Sequence, residues 1–231
     1  MHRPEVGNTA ASLERDLAAI ARAVAELSTT HERVLLLGGD NGLTYAAALG
    51  LSHSAPLGGL LYLDVHWDLR AYPPHSSGCS FRRLLDERVI AVERLRPIGI
   101  QRPADPARLA RGRFDELERY ARAAGIRAVG FDDAVRIGVA RCAVDALAAW
   151  PAPRYLSIDL DAVDERELPG VSAPGSGRFP LCDVVAAAHA AAPYAAVADV
   201  VELAPALDPS GRSTRAAADV ASAIIAAWSA A

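Results

Sequence analysis

Six runs that are apolar at nearly every position constrain the fold of this chain more than any other feature. They are Arg33 to Leu37, Gly58 to Leu63, Leu95 to Ile100, Arg127 to Phe131, Tyr155 to Leu160 and Ala196 to Leu203. A strand that is apolar on both faces has to be covered on both, which is the pattern of a parallel sheet. Helical stretches lie between the runs. Leu13, Leu17, Ile20, Val24 and Leu27 recur every three or four residues across 12 to 28, and Val220, Ile224 and Trp228 share one face of a helix from about Arg212. Shorter helices are expected from Leu43 to about Leu51, from Val135 to Ala149 and from about Leu181 to Ala191. Another should start at Asp105-Pro106, an N-cap followed by proline, and run from there to Ala124, with Gly125 as its stop. Alternating strands and helices predict an α/β fold whose parallel sheet is covered on both sides. No linker or internal repeat interrupts the pattern, so residues 1–231 are expected to form one domain.

In such sheets ligands bind outside the carboxyl ends of the strands, and the acidic residues of this chain gather there. LYLDVHWDLR runs from an apolar strand into Asp64, His66 and Asp68 at alternating positions, which an extended backbone would point to one side. YLSIDLDAVD repeats the design with Asp159 and Asp161, Ala196 to Leu203 reaches Glu202, and the first strand is followed by GGDNG with Asn41. A single Asp at a strand end is often only a loop residue or a helix cap, so DVHWD alone supports either reading. The two motifs together are different, because their ionisable groups would repel in one crevice unless a divalent cation replaced their lost hydration. Carboxylates with imidazole suit Mn(II) or a similar first-row ion better than a structural thiolate zinc site. Two such cations can share carboxylates and hold a hydroxide between them.

Several function classes are excluded at this stage. The formal charge is -4 and the 24 Lys and Arg are spread along the chain, without the basic stripe that nucleic acid needs. Cys79, Cys142 and Cys182 are odd in number and lack CxxC spacing, which fits a reducing cytosol. No apolar run is long enough to span a membrane and the N-terminus lacks a signal-peptide core, so a cytoplasmic protein with no membrane partner is expected. GGDNG is neither a P-loop nor GxGxxG. Cys79 has no positioned base that would make it a nucleophile, and His75 reads as a loop histidine next to Ser76.

DVHWD, SIDLDAVD, GGDN after a strand and VVELAPALD resemble the motif set of the ureohydrolases, the arginase/agmatinase family, over about residues 34 to 220. Within that family DVHWDLR, SSGCSF, Gly99 to Gln101 and LPGVSAPGSG are most similar to the formimidoylglutamase branch. The resemblance implies a three-layer α/β/α sandwich with a mostly parallel sheet and a centre of two Mn2+ per chain. It also implies a small-molecule substrate and the homo-oligomeric assembly common in the family. The implied reaction is hydrolysis of N-formimidoyl-L-glutamate to L-glutamate and formamide, by a hydroxide that bridges the metals.

Carried over by position, Asp64 and Asp159 would bridge the metals, His66 and Asp161 would complete one shell, and Asp68 and Asn41 the other. Glu202 would pair with the cationic amidine and Asp161 would relay a proton. Arg70 would face a substrate carboxylate, with Ser76, Ser77 and Gly78 lining the same end of the pocket; the alternative for Arg70 is a plain surface arginine. Cys79-Ser80-Phe81 stand where arginases carry a proton-shuttling His, which disfavours arginase itself. Two departures weaken the match. Asn41 replaces the usual His with a neutral carbonyl oxygen, so weaker occupancy of that metal is expected. Ahead of Arg33 there is little more than one helix, so the usual first strand of the sheet is expected to be missing, leaving a bare edge. A catalytically silent ureohydrolase-like subunit and an agmatinase or related guanidino-hydrolase remain as alternatives.

Overall fold

The computed structural model describes residues 9–102, 110–173 and 177–230. Its six strands are β1 (Val34–Leu37), β2 (Gly59–Leu63), β3 (Leu95–Ile100), β4 (Val129–Gly130), β5 (Arg154–Asp159) and β6 (Val197–Val201). All pairings are parallel, in the order β1-β6-β5-β2-β3-β4. Helices α1 (Ala10–Thr30), α2 (Gly42–Ser52), α3 (Ser80–Asp86) and α4 (Ala110–Ala124) contribute side chains such as Leu17, Tyr45, Leu84 and Phe114 to one core. Helices α5 (Phe131–Ile137), α6 (Val139–Ala148), α7 (Leu181–Ala191) and α8 (Arg212–Ser229) contribute Ala134, Leu147, Val184 and Ile224 to the other. Strand residues alternate between the two: Leu60 and Tyr62 join the first core, Leu61 and Leu63 the second. This is the expected three-layer sandwich. The sheet is wholly parallel, not mostly so, because a buried helix-covered crossover separates every pair of neighbouring strands.

Among the described residues no strand precedes β1, which pairs only with β6 and forms one edge. Leu37 on that edge is 71% exposed. Among the described residues this edge of the sheet has no further strand.

Two stretches depart from the sequence expectation. The run Arg127 to Phe131 yields only the two-residue β4, because Gly130 caps α5, which begins at Phe131. The single helix expected over Val135 to Ala149 is instead split at Gly138, whose φ of 100° breaks the helical path and starts α6. Helix α4 does end before Gly125, which takes the left-handed φ of 82° expected of a C-terminal glycine. Its expected start at Asp105-Pro106 lies outside the described residues. All three cysteines are free, and no described helix is long and apolar enough to cross a membrane.

The strand order fixes where a site can form. From β2 the chain moves outward to β3 and β4, and from β5 it moves the other way to β6. Neighbours β2 and β5 are therefore the switch point of the sheet, where connections diverge and leave a crevice. Leu63 is in register with Ile158, so Asp64 and Asp159 follow side by side at its mouth.

Candidate metal centre

Strand β2 ends at Leu63, so Asp64, His66 and Asp68 lie beyond it in a loop. Strand alternation is therefore not what brings them together. Asp64 Oδ1 accepts the backbone N–H of His66 at 2.6 Å, a turn that folds the chain back over the strand end. Asp68 takes a φ of 44°, in the left-handed region that bulky residues avoid, and continues the reversal. The second motif uses the same device, with Asp159 Oδ1 accepting the N–H of Asp161 at 2.9 Å where β5 passes into a 3-10 turn, Leu160–Ala162.

Two groups of ligand-type side chains result, each with its atoms within 4.8 Å of one another: Asp64, His66 and Asp161, and Asp64, Asp68 and Asp159. Asp64 belongs to both. His66 Nδ1 lies 3.1 Å from Asp161 Oδ2 and 3.3 Å from Asp64 Oδ1. Asn41, at the N-terminus of α2, donates Nδ2 to Asp68 Oδ2 at 2.7 Å.

Electrostatically the cluster is short of positive charge. Asp64 is fully buried; burial and the Asp161 charge push its carboxyl up to about 6, against the opposing pull of His66. Burial and the Asp64 charge hold Asp68 well above the usual carboxylate range, and burial with the Asp161 and Asp64 charges does the same for Asp159. Burial disfavours the His66 cation, but Asp161 and Asp64 outweigh it and raise its pKa well above the ordinary imidazole value. Asp64 Oδ2, Asp161 Oδ1 and Asn41 Oδ1 are buried without a hydrogen-bond donor. Orphaned acceptors in a group of carboxylates fit divalent cations, which would meet these lone pairs and cancel the repulsion.

Glu202 stands next to the cluster, just past β6, with a left-handed φ of 68°. Its Oε1 accepts the Asn41 N–H at 2.8 Å and its Oε2 accepts the Ser172 hydroxyl at 2.6 Å. Its own N–H donates to Gly39 O at 2.6 Å, tying the GGDN loop to the end of β6. Burial raises its carboxyl while those two donors work against the rise. Strain of about 1–3 kcal/mol at a left-handed non-glycine residue is the kind held at functional positions.

Arg70 is exposed, and its guanidinium lies against Gly78: a Cβ on that glycine would meet Arg70 Nε at 2.8 Å. The Arg70 N–H donates to Gly78 O at 2.8 Å, which joins the metal loop to the Ser76–Gly78 segment. Ser76 is exposed, Ser77 half-buried and Gly78 buried. His75 is buried under the Tyr45 ring, its Nδ1 3.5 Å from Cys79 Sγ. Sequence reasoning assigned no role to Ser172, although VSAPGSG held it, nor to Ser80, whose hydroxyl donates to Asn41 O at 2.8 Å. It also missed Thr44 and Tyr155, which donate to the buried Asp199 at 2.7 Å each and pin α2 to the sheet.

Known proteins resemble this chain in sequence and in fold. Formimidoylglutamase of Nocardia farcinica is 36% identical over 218 residues, covering 90% of this chain and 66% of that protein. The chain thus spans just under two thirds of the length of that curated relative. The crystal structure of formimidoylglutamase from Bacillus subtilis superposes with a TM-score of 0.85 at 24% identity, covering 99% of this chain and 70% of that one. That of Trypanosoma cruzi formiminoglutamase with Mn2+2 superposes with a TM-score of 0.83 at 19% identity, over 97% and 73% of the two chains. The arginase family model matches residues 4–227, nearly the whole sequence, and the chain belongs to the arginase family.

Proposed function

We propose that this chain is a Mn2+-dependent hydrolase of a C–N bond in an amidine-type substrate, N-formimidoyl-L-glutamate, giving L-glutamate and formamide. The observation that carries the reading is Asp64, fully buried and common to two ligand groups at the switch point of the sheet. The names of the relatives point to the same reaction, one of them with Mn2+2 in its structure.

In this reading Asp64, Asp159, His66, Asp161, Asp68 and Asn41 would hold two Mn2+, Asp64 and Asp159 serving both. Asn41 would turn its carbonyl oxygen to the ion, since the amide offers no other ligand atom. When bound, the two ions would lower the pKa of a water and polarise the amidine carbon. Glu202, held by Asn41 N–H and Ser172, orients the cationic amidine through its remaining lone pairs. Asp161 accepts a proton at Oδ1 and returns it to the departing nitrogen. The bond from the formimino carbon to the glutamate nitrogen breaks, that nitrogen leaves as the amine, and the oxygen of water stays with formamide. Arg70 reads a substrate carboxylate, and Ser76, Ser77 and Gly78 line that end.

Product analysis of the Mn2+-loaded chain tests this. Formamide from N-formimidoyl-L-glutamate, without urea from arginine or agmatine, is the expected result. Urea from either substrate would move the activity to the guanidino-hydrolases, and no product from any would leave the silent-subunit reading.

A further inference from the structure

Beyond Asp68 a cavity of about 310 Å3 opens, lined by residues of the metal loop, α3 and α4. Three guanidinium groups border it, Arg70, Arg82 and Arg113, against one carboxylate, Glu116. Arg82 is already engaged: its Nε donates to Asp86 at 2.7 Å and its guanidinium carbon sits 3.7 Å from the centre of the Tyr120 ring. It forms a fixed wall. Arg70 and Arg113 have no side-chain hydrogen bond or ion pair among the described residues, so an anion entering here displaces no existing partner.

The topology puts this cavity on the crevice side of the sheet. Helix α4 follows β3, so its N-terminal end lies at the carboxyl edge, and Arg113 sits in its first turn. The ring of the next residue, Phe114, is 6.3 Å from that of Trp67, which lies between His66 and Asp68. Arg70, two residues past Asp68, lines the same cavity from the metal loop. Two guanidiniums without a partner among the described residues, from two different elements and sharing one cavity with apolar Leu69 and Leu117, match a ligand with more than one carboxylate.

We infer that Arg113 is a specificity-determining residue that holds the second carboxylate of a dicarboxylic substrate, the one Arg70 does not hold. The inference rests on the amidine-hydrolase reading for its substrate and adds a second anchor on a different element of the fold. Its mark is uniform binding, because a carboxylate far from the reacting carbon interacts equally in ground and transition states.

The test compares Mn2+-loaded wild type, Arg113→Ala and, as a control for loss of an exposed arginine elsewhere, Arg141→Ala. Substrates are N-formimidoyl-L-glutamate and its two mono-amides, each lacking one carboxylate charge. For Arg113→Ala, KM for the diacid should rise about 10–100-fold with kcat within about twofold, the size of a lost charge-assisted pair. One mono-amide should show the same rise and the other none, identifying the carboxylate that Arg113 reads. Unchanged KM for the diacid, or an equal loss on all three substrates, overturns the inference. If no substrate is hydrolysed, calorimetric binding of L-glutamate to the same three proteins decides it separately. Binding weakened about tenfold or more in Arg113→Ala alone supports the site without the activity, and no difference between the variants overturns it.

Discussion

Replacing Asp64 by Asn should stabilise the metal-free protein at neutral pH and abolish its response to Mn2+. The Asp64 carboxyl is fully buried and rises from 3.8 to about 6. That shift is equivalent to about 3 kcal/mol. The native state therefore keeps this proton up to about pH 6, whereas the unfolded chain releases it near pH 4. Between those values the native state binds more protons, so the free energy of unfolding falls as pH rises, and the full penalty is in place above pH 6. Asn keeps an oxygen to accept the His66 N–H and removes the buried charge, at the expense of a charged partner for His66. A net gain of about 1–3 kcal/mol corresponds to a rise in Tm of about 2–12 °C for a chain of this size. Melting of EDTA-treated proteins followed by circular dichroism measures it. The variant should melt higher than wild type at pH 7.5 and keep only about a third of that gain at pH 4.5, where the native carboxyl is protonated but the unfolded one is largely ionised. Addition of Mn2+ should raise Tm of the wild type at pH 7.5, much less at pH 4.5, and leave the variant unmoved. A metal-free variant that melts lower at pH 7.5, or one that still gains Tm from Mn2+, would refute the reasoning.

Other substitutions separate the parts of the site. Asn41→His puts an imidazole in place of the buried carbonyl beside Asp68, and the weaker Mn2+ should bind about tenfold tighter by calorimetry; an unchanged isotherm counts against Asn41 as a ligand. Glu202→Gln removes the charge facing the amidine, so kcat/KM should fall about 10–100-fold while the amount of bound Mn2+ stays constant. A parallel loss of metal would make Glu202 a structural residue instead. Tyr155→Phe takes one donor from the buried Asp199 and should lower unfolding stability by about 1–3 kcal/mol in urea, without altering metal affinity.

The sheet was legible in the sequence because strands buried on both faces are apolar at almost every position, and β2 and β5 are of that kind. Legible too, from the two acidic motifs taken together, were the side chains that the structure gathers into two groups, Asp64, His66, Asp68, Asp159 and Asp161. Their convergence was not. Alternation along a strand was the wrong cause for Asp64, His66 and Asp68, which are gathered by a turn closed on Asp64 Oδ1 and by the left-handed Asp68. Nor could alternation say that β2 and β5 are neighbours, which depends on the crossover pattern of the whole chain. Gly138 lay inside a helical composition, and only its φ of 100° reveals the break between α5 and α6. Asp199 was visible as an acid interrupting an apolar strand, but its partners Thr44 and Tyr155 come from distant segments. Arg113 carried no local signal at all, being one arginine among many until α4 brings it to the same cavity as Arg70.

Counting Mn2+ on the chain addresses the shared role of Asp64 directly. Equilibrium dialysis at pH 7.5 with metal analysis, together with electron paramagnetic resonance of the loaded protein, gives both the number of ions and their coupling. Two Mn2+ per chain with an exchange-coupled spectrum, both lost in Asp64→Asn, is the expected outcome, because Asp64 is common to the two ligand groups. Fewer than one Mn2+ per chain, or two uncoupled ions of which one survives the substitution, would contradict a binuclear centre built on Asp64.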